Sequence, residues 1–171
     1  MKIVPIKDMP KKEDIKEVSS EDLLEIYKTC KLMEKVCTEN NGIGLNAAQV
    51  GIPLKLFIVR SAGFKHGETP IYDYYVNCRY SPIGETVIPS VESCLSILNE
   101  DGSFKTFKVS RYETIKVDGF KLVESDSGLE LKKYSAIMNS NNNGIVMQHE
   151  IDHSSDILIS NIGEEFFFWK G

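Results

Sequence analysis

The stretch that decides the reading of this chain is Gln148-His149-Glu150-Ile151-Asp152-His153. On an α-helix, residues four apart stand one turn above each other on one face. His149 and His153 can therefore aim two imidazoles at one metal ion, with Glu150 close enough to exchange protons with water at that ion. Ile151 points roughly the opposite way, toward a core. The alternative is a helix with two surface histidines that happen to lie four apart. A catalytic metal ordinarily takes three protein ligands, so the pair predicts a third from Cys, His, Asp or Glu elsewhere. The one other histidine, His66, sits in a predicted loop between glycines and reads as solvated.

Outward from that motif, the chain reads as a single domain over residues 1–171. A helix is predicted over 145–154, after a run of Asn that offers N-caps. A second, amphipathic helix is predicted over 20–39. Ser19 and Asp22 have capping-box spacing, Leu23, Ile26, Tyr27, Cys30, Met33 and Cys37 follow at helical intervals, and Asn40, Asn41 and Gly42 end it. Between the helices, 54–60 and 73–78 read as strands. Stretches 104–109, 112–117 and 120–124 read as a β meander with Asp118-Gly119 as a tight turn, and 128–134 as a further strand. The first 18 residues read as an extended, charged lead-in. Helix, strands, helix implies an α+β fold with mostly antiparallel sheet.

Composition narrows the function classes. The 171 residues are 42% hydrophobic and 26% charged, ordinary for a globular protein and unlike a disordered one. Net charge is −5, and no segment concentrates Lys and Arg among aromatics, which argues against nucleic-acid binding. The longest apolar runs, 54–59 and 166–169, are far too short for a membrane span. Neither a signal nor a transit peptide is read in the first twenty residues, so a cytoplasmic location is expected. Of the four widely spaced cysteines, Cys30, Cys37 and Cys78 read as reduced thiols packed as small hydrophobes.

Three motifs in order add a resemblance. Gly42-Ile43-Gly44-Leu45-Asn46-Ala47-Ala48-Gln49 is similar to the G-φ-G-φ-A-A-x-Q motif of peptide deformylases. Glu92-Ser93-Cys94-Leu95-Ser96 resembles their E-G-C-L-S, and 148–153 resembles their Q-H-E-x-D-H. Val109-Ser110-Arg111-Tyr112 is similar to the Arg-bearing strand start between the last two motifs.

The resemblance implies a fold of mostly antiparallel sheets around a central helix carrying the HExxH motif. It implies Cys94, His149 and His153 as ligands of one divalent ion, Fe²⁺ in the cell, with Zn²⁺, Ni²⁺ or Co²⁺ compatible with the donors. The implied reaction is hydrolysis of the N-formyl group from formyl-methionyl peptides, releasing formate. Glu150 would act as general base and acid, and the Gln49 amide and Leu95 backbone N–H would steady the developing oxyanion. By the same mapping Ile43 and Gly44 contact the substrate backbone, Ile43, Glu92, Ile145 and Val146 line the methionine pocket, and Asp152 and Arg111 form a supporting pair.

Two letters depart from the motifs: Asn46 stands at the first Ala, which questions close packing against the metal-bearing helix, and Ser93 replaces Gly beside the cysteine. Only a short tail follows His153, ending in Phe166-Phe167-Phe168-Trp169, which is expected to pack on the sheet. The layout resembles compact, phage-encoded deformylases without a C-terminal helix, so docking on the ribosome through such a helix is not expected, and a monomer is. Two other readings compete. An HExxH metallopeptidase would take its third ligand from Asp156, Glu164 or Glu165, and a non-catalytic, metal-stabilised module would only bind peptide N-termini.

Overall fold

The computed structural model describes residues 1–61 and 69–167. The expectations for His66, Phe168 and Trp169 lie outside the described residues. The chain folds as α+β with antiparallel sheets. Ser19 accepts a hydrogen bond from the Glu21 N–H (3.2 Å) and caps a 3₁₀ turn at 20–22, rather than completing a capping box with Asp22. Helix α1 then runs Leu23–Glu39. Its apolar stripe (Ile26, Cys30, Met33, Val36 and Cys37) is buried, and the Asn40 side chain closes its end by donating to the Val36 carbonyl (2.8 Å).

Eight strands follow: β1 (Gly44–Asn46), β2 (Leu56–Arg60), β3 (Tyr72–Pro82), β4 (Val87–Leu98), β5 (Phe104–Tyr112), β6 (Thr114–Ser125), β7 (Gly128–Asn139) and β8 (Glu164–Glu165). Helices α2 (Gly144–His153) and α3 (Ile159–Ile162) come between β7 and β8. One sheet has the order β1-β2-β3-β6-β7, the other β4-β5-β8. Successive strand residues face opposite sides of a sheet. Leu56, Ile58, Tyr74 and Val76 accordingly pack toward α1, while Phe57, Val59 and Tyr75 pack with Met147 and Ile151 of α2 on the other side. Ile151 is therefore core, as its position on the helix predicts. Cys94 and Ile97 of β4, with Phe107 and Val109 of β5, form a third cluster under α3. These layers leave α2 in contact with both sheets.

The structure corrects four local expectations. The segment that carries Cys94, which drew no strand assignment, is the long strand β4. The meander is broken, because β5 and β6, separated only by Glu113, pair in different sheets. Asp118-Gly119 is no turn; it lies inside β6, opposite a register shift in β3 between Val76 and Arg79. A Cβ on Gly119 would stand 2.7 Å from the Cys78 Cα, so the bulge requires glycine there. Asn143 precedes α2 in a left-handed conformation (φ 68°) without a side-chain cap; its amide instead donates to the Arg60 carbonyl. The tail adds β8 to the edge of β5, and the Phe166 N–H donates to the Thr106 carbonyl (2.7 Å). The Phe167 side chain stays exposed. No helix among the described residues is long and apolar enough to cross a membrane.

Candidate metal centre

Two elements deliver the donors. Helix α2 stacks His149 and His153 one turn apart, their ring centroids 5.0 Å apart. Strand β4 brings Cys94 in from the other sheet, with its sulfur 3.4 Å from His153 Nε2. One atom from each of the three side chains lies within 4.8 Å of the others, a Cys-His-His group that could hold one metal ion. The ladder between β4 and β5 breaks between Ser93 and Leu98, so Cys94 and Leu95 sit where the strand leaves regular pairing. The Ser93 side chain is exposed and meets Thr106 Oγ1 across the strands (3.2 Å). Of the downstream carboxylates a metallopeptidase would need, Asp156 pairs with Lys11 and Glu165 with Lys105, and among the described residues none joins the two histidines in a group that could hold a metal.

Glu150 is buried on the same helix, and its Oε2 has no hydrogen-bond partner. The backbone of β1 passes so close that a Cβ on Gly44 would stand 2.5 Å from Glu150 Oε1. Glycine is needed there for the carboxylate to occupy its place. Burial pushes the Glu150 carboxyl up to about 7, helped by the Glu92 charge and opposed by His149 and Arg111.

Gln49 is fully buried and clamped from both ends. Its Oε1 accepts the Asn46 N–H (2.8 Å), which turns Nε2 toward Cys94 Sγ (3.3 Å) and Ser96 Oγ (3.4 Å). The Gln49 carbonyl accepts the Val4 N–H (2.8 Å), so the lead-in segment is fastened to this corner.

Behind the histidines lies a buried chain of charges. Arg111 donates to both oxygens of Glu92 (2.7 and 2.8 Å) and, through Nη1, to Asp152. Glu92 Oε2 lies 2.8 Å from His149 Nδ1, and Tyr80 donates its hydroxyl to Asp152 Oδ1 (3.0 Å). The supporting pair expected of Asp152 and Arg111 is thus a longer network, with Glu92 oriented by it. Burial raises the Glu92 carboxyl, but Arg111 and His149 overcome this and bring it to about 2. For Asp152 burial wins over Arg111, and its pKa is raised.

The two histidines diverge in the same way. Burial pulls His149 down, yet Cys94, Glu92 and Glu150 push it up to about 10, while burial, then His149 and Arg111, hold His153 well below the usual imidazole range. His153 can thus offer a lone pair, and its Nδ1 is buried without a partner. The Cys94 sulfur and the two imidazoles are together a donor set that a divalent cation can take.

A cavity of about 510 Å³ opens in front of this group. The positions singled out from sequence converge on it: Ile43, Gly44, Gln49, Glu92, Leu95, Ile145, Val146 and Glu150 all border it, with Cys94 and His149. His153 is buried to the rear, 2% exposed. The wall also includes Asn41, Val91 and Phe104, which no motif marked. Tyr80 was missed as well; it lies beyond the predicted end of its strand and meets its partner 72 positions away, with no local signal. Asn46, flagged only as a departure, is wholly buried and hydrogen-bonds to α2.

The family model for polypeptide deformylase matches residues 1–164. Among curated proteins, the chain is 32% identical over 127 residues to the chloroplastic peptide deformylase 1B of Solanum lycopersicum, covering 74% of this chain and 40% of that one. It is 29% identical over 129 residues to the peptide deformylase of Helicobacter pylori strain G27, covering 74% and 65%. The chain therefore spans less than two thirds of the length of these curated relatives. Among solved structures, a probable peptide deformylase from synechococcus phage S-SSM7 superposes with a TM-score of 0.73 at 25% identity, covering 94% of this chain and 97% of that one.

Proposed function

The chain belongs to the polypeptide deformylase family, and from that membership we propose that it hydrolyses the N-formyl group of formyl-methionyl peptides. The observation that carries this reading is the meeting of Cys94, His149, the unpartnered Glu150 oxygen and the Gln49 amide at one cavity wall, with His153 buried behind them as the third donor. Residues 1–171 act as one catalytic domain in this reading, organised around α2. The donor set of one sulfur and two imidazoles accepts Fe²⁺, Zn²⁺, Ni²⁺ or Co²⁺, and the family resemblance favours Fe²⁺ in the cell. A divalent ion held there supplies Lewis acidity, bringing the pKa of water toward neutrality.

The chain's own residues do the rest. The peptide lies extended along Ile43 and Gly44, at the free edge of β1, as an added strand. Ile43, Ile145 and Val146 receive the methionine side chain, and Glu92 steadies the pocket floor through Arg111. Glu150 takes the proton of the water that attacks the formyl carbon, then delivers it to the departing amine as the C–N bond breaks. Formate and a free N-terminal amine result. Gln49 Nε2 and the Leu95 N–H donate to the oxygen where charge gathers, each worth about 3 kcal/mol in the transition state. The buried Glu150 Oε2 has no structural partner, which favours an enzyme over a binding module.

The test is formate release from formyl-methionyl peptides by protein loaded with Fe²⁺ or Ni²⁺ without oxygen. Turnover is expected, and Glu150→Ala should keep the metal while losing about a thousandfold in rate. Cleavage of an internal peptide bond, or metal binding without formate release, would overturn the reading.

A further inference from the structure

Asn46 ends β1, and the chain then turns through the 3₁₀ segment Ala47–Val50 that contains Gln49. Each hydrogen-bonding arm described for this residue is used. Its backbone N–H donates to Gln49 Oε1 (2.8 Å), and its Oδ1 accepts the Ala48 N–H (2.9 Å). Its Nδ2 donates to the main-chain carbonyl of Glu150 (2.7 Å), 104 residues away, and to Ser154 Oγ (3.1 Å).

The Glu150 carbonyl has in Asn46 a donor from another element. In a continuing α-helix it would accept the N–H of Ser154, but α2 tightens at its end and that N–H goes to the Ile151 carbonyl instead (3.0 Å). A helix-end carbonyl buried without a partner carries the full desolvation cost of a lost hydrogen bond. Asn46 is wholly buried at this point.

We propose that Asn46 is a positioning residue for the deformylation reaction: its side-chain amide holds the turn that carries Gln49 through Oδ1 and the Glu150 segment of α2 through Nδ2, which sets the spacing between oxyanion donor and proton carrier. Alanine, the usual residue of the motif, makes neither side-chain bond. The proposal rests on the deformylase reading. It goes beyond that reading by giving catalytic consequence to a side chain that touches neither substrate nor metal.

Asn46→Ser tests it, since serine keeps an oxygen near the Ala48 N–H but cannot span to Glu150. In the full chain loaded with Ni²⁺, kcat per bound metal should fall about tenfold with KM within about twofold, the loss of roughly one well-placed buried hydrogen bond. Metal stoichiometry should equal that of the unaltered protein. In the metal-free protein, amide hydrogen exchange at Ser154 and Ser155 should speed up about tenfold as the end of α2 loosens. A kcat per metal within about twofold of the unaltered protein, or a loss wholly explained by lower metal content, would overturn the role of Asn46 and leave the deformylase reading intact. If Asn46→Ser does not fold, Ser154→Ala carries the test: kcat should drop about threefold at unchanged KM, and an unchanged kcat overturns the proposal. Absence of formate release by the unaltered protein would overturn both, and is read separately as the control.

Discussion

Helices α1 and α2 solve the burial problem in opposite ways. In α1, 17 residues divide into one apolar stripe and one solvated face, where Lys28 and Lys31 meet Glu25 and Glu34 one turn away. Apolar area does the stabilising, and the charges outside contribute little. In α2, only ten residues long, Gln148, Glu150, Asp152 and His153 are all buried. Several of these buried polar groups depend on partners from other elements, such as Arg111 on β5 for Asp152 and Asn46 on β1 for the Glu150 carbonyl. The difference teaches where the molecule is tolerant: α1 is held by many interchangeable contacts, α2 by a few that cannot be exchanged.

Substitutions can break that contrast or sharpen it. The largest stability effect is expected at Arg111→Met, which leaves Glu92 and Asp152 as buried charges without their cation. Urea unfolding of the metal-free protein should show a loss of about 3–5 kcal/mol, and a loss below about 1 kcal/mol would mean that α2 does not depend on the network. Met33→Ala, in the fully buried stripe of α1, should cost about 3 kcal/mol by transfer and cavity terms, measurable in the same way and without change in formate release.

Acid should act on the network through Glu92, removing one of the two carboxylates on Arg111 and so having a smaller effect than the loss of Arg111. Its folded pKa, about 2, lies below its ordinary value. The stabilisation it confers is therefore complete above its unfolded pKa of about 4.3 and drains away as pH falls through 2. Unfolding followed between pH 5 and pH 2 should show this slope flattened in Glu92→Gln. The smallest effect belongs to Lys28→Ala on the exposed face of α1, within about 0.5 kcal/mol of zero. A larger value would mean that the outer face of α1 is not idle.

The same contrast explains what could be read from the letters alone. Periodicity revealed α1 because its partner is simply a sheet face. The chemistry of α2 was legible through its His-Glu-His spacing, and the ordered motifs brought Gln49 and Cys94 beside it. The sheets were less legible. Nothing around Glu113 announces that the chain leaves one sheet for the other, since a strand's partner is chosen by non-local packing. Asp118-Gly119 has the composition of a turn, yet the glycine answers to a bulge on β3 some forty residues earlier. Asn46 looked like a flaw in the motif for the same reason, its partner being 104 positions distant.

At Gly44 a missing methyl does the work of a side chain, because the hydrogen in its place is what lets the Glu150 carboxylate stand against the backbone. Grafting the His-Glu-His helix onto another scaffold would therefore reproduce the letters without the site. The transplant would have to bring its bare strand edge along with it.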